Sequence, residues 1–282
     1  MTLDGKVVLI TGGARGMGRE YVRGFLKAGA KVIATARSWT PSGISGDDED
    51  FFSEVKGNPN VLTEVMDLTI DSHVKRVYER AIERFGTIDV IVNNAAMRPR
   101  DIYAPTGQST ILDTEISDWW RMFDTNVFGT FRVIKTFARP MIEQRRGSII
   151  NVSSTGPGPH SLEGPYQPSK AAETTMSHYL AHELKPHNIA VNVLLPGYTR
   201  TTGSDEQSAA RAAASGIAQG ALRRLRADSG VPLALFLAQQ DASGETGGTF
   251  NVVRWNEEQG LGGFDVWGYE ADVEAARAAG SL

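Results

Sequence analysis

A chain of 282 residues, 41% of them hydrophobic and 22% charged, has the composition of a folded protein long enough to bury one full α/β core. Its net charge of -4 gives no basic field for nucleic acid, and the lack of any cysteine excludes disulfides, thiolate metal sites and a cysteine nucleophile. No apolar run reaches membrane-spanning length and no export-type apolar segment follows Met1, so a cytoplasmic protein without a membrane partner is expected.

Val7-Val8-Leu9-Ile10 is a short apolar run ending in glycines, the pattern of a strand buried on both faces. A helix is expected over residues 19–28, where Tyr21, Val22, Phe25 and Leu26 share a face and Gly29 suits the helix end. Lys31–Ala36 reads as the second strand. Further strands are expected over 61–66, 88–92, 148–152, Ile189–Leu195 and 249–253, and further helices over 72–85, 128–143, Tyr166–Leu184 and 231–239. This alternation predicts an α/β, doubly wound parallel sheet (a Rossmann fold) as a single domain, with a core over about 3–253 and a C-terminal tail over 254–282. Three segments break the rhythm. Residues 38–60, with Asp47-Asp48-Glu49-Asp50, read as a solvated loop holding at most a short helix. Residues 97–117 form a long irregular stretch of the kind that is often functional, and 260–282 a tail with an alanine-rich helix.

Thr11-Gly12-Gly13-Ala14-Arg15-Gly16-Met17-Gly18 follows the first strand and opens the first helix. Glycine there permits a tight turn and close approach of the backbone to a pyrophosphate, while the helix N-terminus supplies N–H groups and the positive end of its dipole. No Gly-Lys-Ser/Thr follows, which disfavours a triphosphate-binding loop. At the end of the second strand, where an NAD-preferring fold usually carries an acid, stands Ala36 followed by Arg37-Ser38. A guanidinium beside a hydroxyl binds a 2′-phosphate that a carboxylate would repel, and Arg15 adds a second charge. NADP is therefore expected in preference to NAD.

Tyr166 and Lys170 stand four residues apart on one helical face. A nearby cation stabilises a phenolate, so the pair is expected to exchange a proton near neutral pH. Alone, that spacing is common on solvated helix faces. The glycine loop, and the pair Ser153-Ser154 upstream, give it weight.

Taken in order, Thr11-Gly12-x-x-x-Gly16-x-Gly18, Asp67, Asn93-Asn94-Ala95-Ala96, Asn126, Asn151-Val152-Ser153-Ser154, Tyr166-x-x-x-Lys170 and Pro196-Gly197 resemble the short-chain dehydrogenase/reductase family over roughly residues 3–253. The resemblance implies hydride transfer between a nicotinamide cofactor and a ketone or secondary alcohol. Tyr166 would then exchange the proton, Lys170 would lower the phenol's pKa and hold the nicotinamide ribose, a seryl hydroxyl would stabilise the oxyanion, and Asn126 would position a water. It further implies that Asp67 meets the adenine and Asn94 the adenosine ribose, with Leu68 and Ala95 beside them in the cofactor site. Pro196, Gly197, Thr199 and Thr201 belong to a segment closing over the nicotinamide, and a homotetramer or homodimer is implied. On the residues alone, Asp67 could instead cap a helix and Asn94 stabilise a turn. Two rival functions are a dehydratase or epimerase that retains its cofactor, and a non-catalytic dinucleotide-binding protein, which would not need Ser154, Tyr166 and Lys170.

The family's usual spacing, thirteen residues ahead of the tyrosine, selects Ser153, whereas strand register selects Ser154. A one-residue slip would turn the hydroxyl to the other face of a strand, while a one-residue deletion in the following loop is tolerated; Ser154 is therefore preferred. Pro168 fits a helix only in its first turn, which sets the helix start near Pro165 and Tyr166 at the positive end of the dipole. Candidates for the substrate pocket are Met97 and its loop, His160, Leu162, Tyr198 and residues 202–222, a mostly apolar set suited to a moderately apolar, cyclic ketone or alcohol. Arg98 and Arg100 read as surface charges, and Trp119-Trp120 as a helix anchor with one ring inward. After Val253 the chain departs from the family ending with Arg254-Trp255-Asn256 and continues.

Overall fold

The computed structural model describes residues 2–41, 48–154, 162–215 and 223–282. Seven strands, β1 (Val7–Thr11), β2 (Lys31–Ala36), β3 (Val61–Val65), β4 (Val90–Asn93), β5 (Gly147–Val152), β6 (Ile189–Leu195) and β7 (Thr249–Asn251), form one sheet in the order β3-β2-β1-β4-β5-β6-β7. Every pairing is parallel. The strand order reverses between β1 and β4, and this switch point opens a crevice at the carboxyl ends of the strands. This is a Rossmann-type α/β fold.

Strand residues alternate between two cores, as the two-residue period of a strand requires. On one face Val8, Ile10, Val32, Ala34, Val92 and Ile150 pack with Tyr21, Val22 and Phe25 of α1 (Gly16–Lys27) and Leu233 and Leu237 of α8 (Val231–Leu237). On the other, Val7, Leu9, Ile33, Ile91, Ile149 and Val191 pack with α3 (Asp71–Phe85), α5 (Thr130–Gln144) and α6 (Tyr166–Leu184). Burial on both faces explains why these strands read as continuous apolar runs.

Three departures from the sequence reading have local causes. Within residues 38–60 the short helix allowed there is α2 (Glu49–Val55), but it is docked and not solvated throughout: Asp48 caps it by accepting from Phe51 N and pairs with Arg23 at 2.8 Å, while Phe51 is fully buried. The helix expected from residue 128 begins earlier, with α4 (Ile116–Phe123) running through a π-helical turn, Asp124–Gly129, into α5. The last strand ends at Asn251, whose side chain accepts from Arg254 N and starts α9 (Val252–Glu258). Helix α7 (Ser204–Ser215) and the tail helices α10 (Phe264–Trp267) and α11 (Glu270–Ala278) complete the fold. Within the tail, Phe264, Val273 and Ala276 close a small core over Leu225, and Arg224 forms a bidentate pair with Asp272 at 2.8 and 2.7 Å. Among the described residues no helix is long and apolar enough to cross a membrane.

Candidate active site

A cleft of about 1570 Å³ runs along the carboxyl ends of the strands. At one end lies the glycine loop. Gly12 and Gly16 have φ of +69° and +53°, and a Cβ on Gly18 would sit 2.1 Å from Gly12 O, so backbone replaces side chain throughout the turn. Thr11 Oγ1 accepts from Asn94 N and Ala95 N at 3.0 Å, and Asn94 Nδ2 donates to Thr11 O at 2.9 Å, which ties the loop after β4 to the loop after β1. Asn94 thus stabilises the turn as well as lining the cleft. Helix α1 begins at Gly16 with no side-chain cap, so its first-turn N–H groups remain to meet an anion.

Beyond β2, Arg37 and Ser38 line the same cleft. Arg15 Nη2 donates to Thr40 O at 2.8 Å, and Thr40 Oγ1 lies 2.8 Å from Ser38 Oγ, so both cationic residues and the hydroxyl gather at one corner. Asp67 caps no helix; its Oδ1 accepts from Thr69 N at 2.9 Å and Thr69 Oγ1 at 2.7 Å. Burial works to raise the Asp67 carboxyl, but the Thr69 bonds and the Arg37 charge overcome it and hold the group below the usual carboxylate range. Leu68, Met17 and Ala95 line the cleft nearby, and Pro196, Gly197, Thr199 and Thr201 form its roof. A Cβ on Gly16 would lie 3.2 Å from Thr201, which measures how closely roof and glycine loop approach.

Tyr166, Lys170, Ser153 and Ser154 line the middle of the cleft. Helix α6 starts at Tyr166 with Pro165 as its N-cap, so Pro168 falls in the first turn as expected. The two serines have different surroundings. Ser153 is buried, and its Oγ lies 3.0 Å from the Lys170 carbonyl and 2.7 Å from Thr174 Oγ1. Ser154 is half-buried at the cleft and accepts from Gln167 Nε2 at 3.4 Å.

Two features of this centre lie beyond the local sequence pattern. Burial pushes the Tyr166 phenol above its ordinary value despite the opposing charge of Lys170. Lys170 Nζ is itself engaged, donating to Val152 O at 2.7 Å and to Glu173 Oε2. Asn126 is fully buried and absent from the cleft lining. Its Oδ1 accepts from Met97 N at 2.7 Å while Nδ2 donates to Met97 O and Ser169 Oγ, both at 3.0 Å, so its amide clamps the wall to α6.

The substrate end is more polar than the sequence suggested. Arg98, Arg100, Glu163, Glu206 and Arg211 line it with Met97, Pro99, Pro105 and Tyr198. Arg100 is not a surface charge: burial lowers its guanidinium to about 10, and it donates to Thr202 O. Arg211 donates to Thr106 O at 2.7 Å and lies 3.4 Å from Glu163, closing the loop after β4 against α7. Leu162 is exposed and outside the lining, while His160 and the outer part of 202–222 fall outside the described residues. Trp119 stacks on Phe123 at 6.1 Å and Trp120 is exposed, one ring inward and one outward. Residues missed by sequence reasoning had weak local signals, except Glu173, which shares a helical face with Lys170 at i,i+3 spacing.

The short chain dehydrogenase family profile matches residues 6–212. Fluoren-9-ol dehydrogenase of a Terrabacter species is 39% identical over 276 residues, covering 93% of this chain and 75% of that protein. A 3-oxoacyl-(acyl-carrier-protein) reductase of Thermotoga maritima is 33% identical over 261 residues, covering 89% of this chain and 98% of its own length. A (+)-borneol dehydrogenase of Salvia officinalis is 36% identical over 202 residues, covering 70% of this chain and 65% of that protein. The profile extends from the start of β1 into α7, across both ends of the cleft, and the chain belongs to the short-chain dehydrogenase family of nicotinamide-dependent oxidoreductases.

Proposed function

We propose that the protein transfers hydride between NADP and a rigid, cyclic, moderately apolar ketone or secondary alcohol. The observation that carries this reading is the meeting of Tyr166, Lys170 and Ser154 in the middle of a cleft whose one end is the glycine loop. The residues fit a dinucleotide: an uncapped helix N-terminus receives the pyrophosphate, and Arg15, Arg37 and Ser38 receive a 2′-phosphate beyond β2. Bound there, the cofactor supplies or accepts the hydride. Tyr166 gives its hydroxyl proton to the substrate oxygen during reduction, Ser154 Oγ donates a hydrogen bond to the developing oxyanion, and Lys170 supplies positive charge beneath both. Asn126 keeps Met97 in place on the substrate wall. Asp67, Leu68, Asn94 and Ala95 complete the adenosine end.

The substrate class is supported by fluoren-9-ol and borneol, named for two relatives, which are both rigid cyclic secondary alcohols. The charges at this end of the cleft are directed to protein partners, Arg100 to Thr202 and Arg211 to Thr106 and Glu163, so their presence is compatible with a neutral substrate. A panel of cyclic ketones and alcohols, followed by absorbance of the reduced cofactor, tests the reading: turnover with none of them overturns it, and a clear preference for NADH over NADPH overturns the cofactor assignment. We place the enzyme in the cytoplasm, treat the chain as one domain, and infer a homodimer or homotetramer. Trp120, Phe128, Phe131 and Tyr179, 65%, 44%, 43% and 76% exposed on α4, the π-helical turn, α5 and α6 in that order, support association. Sedimentation as a monomer at all concentrations would count against it.

A further inference from the structure

Lys170 is the cation on which the chemistry at Tyr166 depends, yet it is already paired. Its ammonium and the Glu173 carboxylate are 3% and 1% exposed, and Nζ donates to Glu173 Oε2 and to Val152 O. Glu173 Oε1 accepts from Thr130 Oγ1 at 3.3 Å, so both carboxylate oxygens have partners that fix them. A buried carboxylate without such a counter-ion would be costly, and so would a buried ammonium. The two charges are therefore held as a unit beneath the cleft.

The charged groups facing Tyr166 come from three places. Lys170 and Glu173 lie on its own helix, Glu163 on the segment before it, and Arg98 on the loop after β4. Glu163 is matched by Arg211 of α7, whereas α5 presents to Glu173 only the neutral Thr130, and β5 presents to Lys170 the Val152 carbonyl. An isolated ammonium would draw the proton off a neighbouring phenol; an ammonium held against a carboxylate does so much less, because the two fields oppose each other at the phenol oxygen.

We propose that Glu173 is a positioning residue acting through Lys170: it fixes the ammonium under β5 and offsets its charge, so that Tyr166 is kept in its proton-donating form through neutral pH. The proposal rests on Tyr166 as the proton donor. It leaves reduction supplied with its proton at neutral pH and makes alcohol oxidation, which needs the phenolate, faster at alkaline pH. Glu173 touches no reacting atom.

The test reads Tyr166 directly. Tyrosinate absorbance of the cofactor-free protein is titrated against pH and referred to its Tyr166→Phe counterpart, once in the wild type and once with Glu173→Gln, which keeps shape and hydrogen-bonding capacity. The wild-type Tyr166 is expected to titrate at or above the ordinary value of ~10, and in the Glu173→Gln protein about tenfold more easily, roughly one pH unit lower. The limb of the pH–rate profile for alcohol oxidation should move acidward by the same amount, and Glu173→Asp should restore the wild-type profile. An unmoved titration in Glu173→Gln overturns the proposal, as does an upward shift caused by Lys170 losing its own proton. If Glu173→Gln does not fold, Glu173→Met, uncharged and similar in length, takes its place under the same criteria, and a wild-type Tyr166 titrating well below ~10 refutes the proposal without any variant. Failure of every alcohol and ketone to react would sink the functional reading while leaving this titration informative.

Discussion

The two ends of the cleft are built in different ways. The cofactor end is made of backbone: Gly12, Gly16 and Gly18 bring chain against chain, and Asn94 and Thr11 tie the adjoining loops with short-range geometry. The substrate end is made of long side chains that cross between distant segments, Arg100 to Thr202 and Arg211 to Thr106 and Glu163, while Arg224, outside the lining, ties Asp205 at the start of α7 to Asp272 of the tail. A backbone cradle is specified by a few residues and accepts one ligand shape, whereas a wall of ion pairs can be re-paired and reshaped residue by residue. The first suits a shared cofactor and the second a variable substrate.

Four substitutions sharpen or break this contrast. Tyr166→Phe, between the two ends, should lower turnover by about 10²- to 10⁴-fold while cofactor affinity, measured by fluorescence titration, changes little. A comparable loss of cofactor binding would mean that the centre and the cradle are not separate. Asp272→Ala leaves the buried Arg224 guanidinium without its bidentate partner and should destabilise the fold by about 3 kcal/mol in thermal unfolding, with a raised KM for substrate and an unchanged one for cofactor. Gly18→Ala should do the reverse: the added Cβ, 2.1 Å from Gly12 O and 2.6 Å from Asn94 Nδ2, distorts the cradle at a cost of about 1–3 kcal/mol and weakens cofactor binding more than substrate binding. Arg37→Ala, on the exposed rim, should weaken NADPH by about tenfold relative to NADH, the size of one charge-assisted hydrogen bond. Equal effects on both cofactors would remove Arg37 from 2′-phosphate recognition.

The contrast also explains what could be read in the sequence. Strands β1, β2, β4, β5 and β6 are buried on both faces and announce themselves as apolar runs, and the glycine loop is contiguous, so the sheet and the cofactor end were legible. The substrate end depends on contacts between residues far apart in the chain, such as Arg211 with Thr106, and no local pattern encodes them. Short capped helices were also hidden. At β7 the apolar run Phe250 to Val253 continues the strand pattern, but Asn251 turns the chain into α9 through one side-chain bond. Asn126 carried the right local setting, a π-turn at the cleft, while its amide is occupied by Met97 and Ser169, which only tertiary structure reveals. For Tyr166, the sequence shows the cation, with Glu173 three residues beyond it, and conceals the burial that opposes it.

The two serines after β5 are identical letters in consecutive places, yet they are not spares for each other. Parity decides their surroundings: one is a rivet between the sheet and α6, the other is half-buried at the cleft, where we propose that it acts on the substrate. Removing the hydroxyl of Ser153 should register in a melting curve, by about 1 kcal/mol, and removing that of Ser154 in turnover. Inserting a single residue into β5 would carry Ser153 to the cleft and set Val152 in its place against α6, so the hydroxyl lost would be the rivet's.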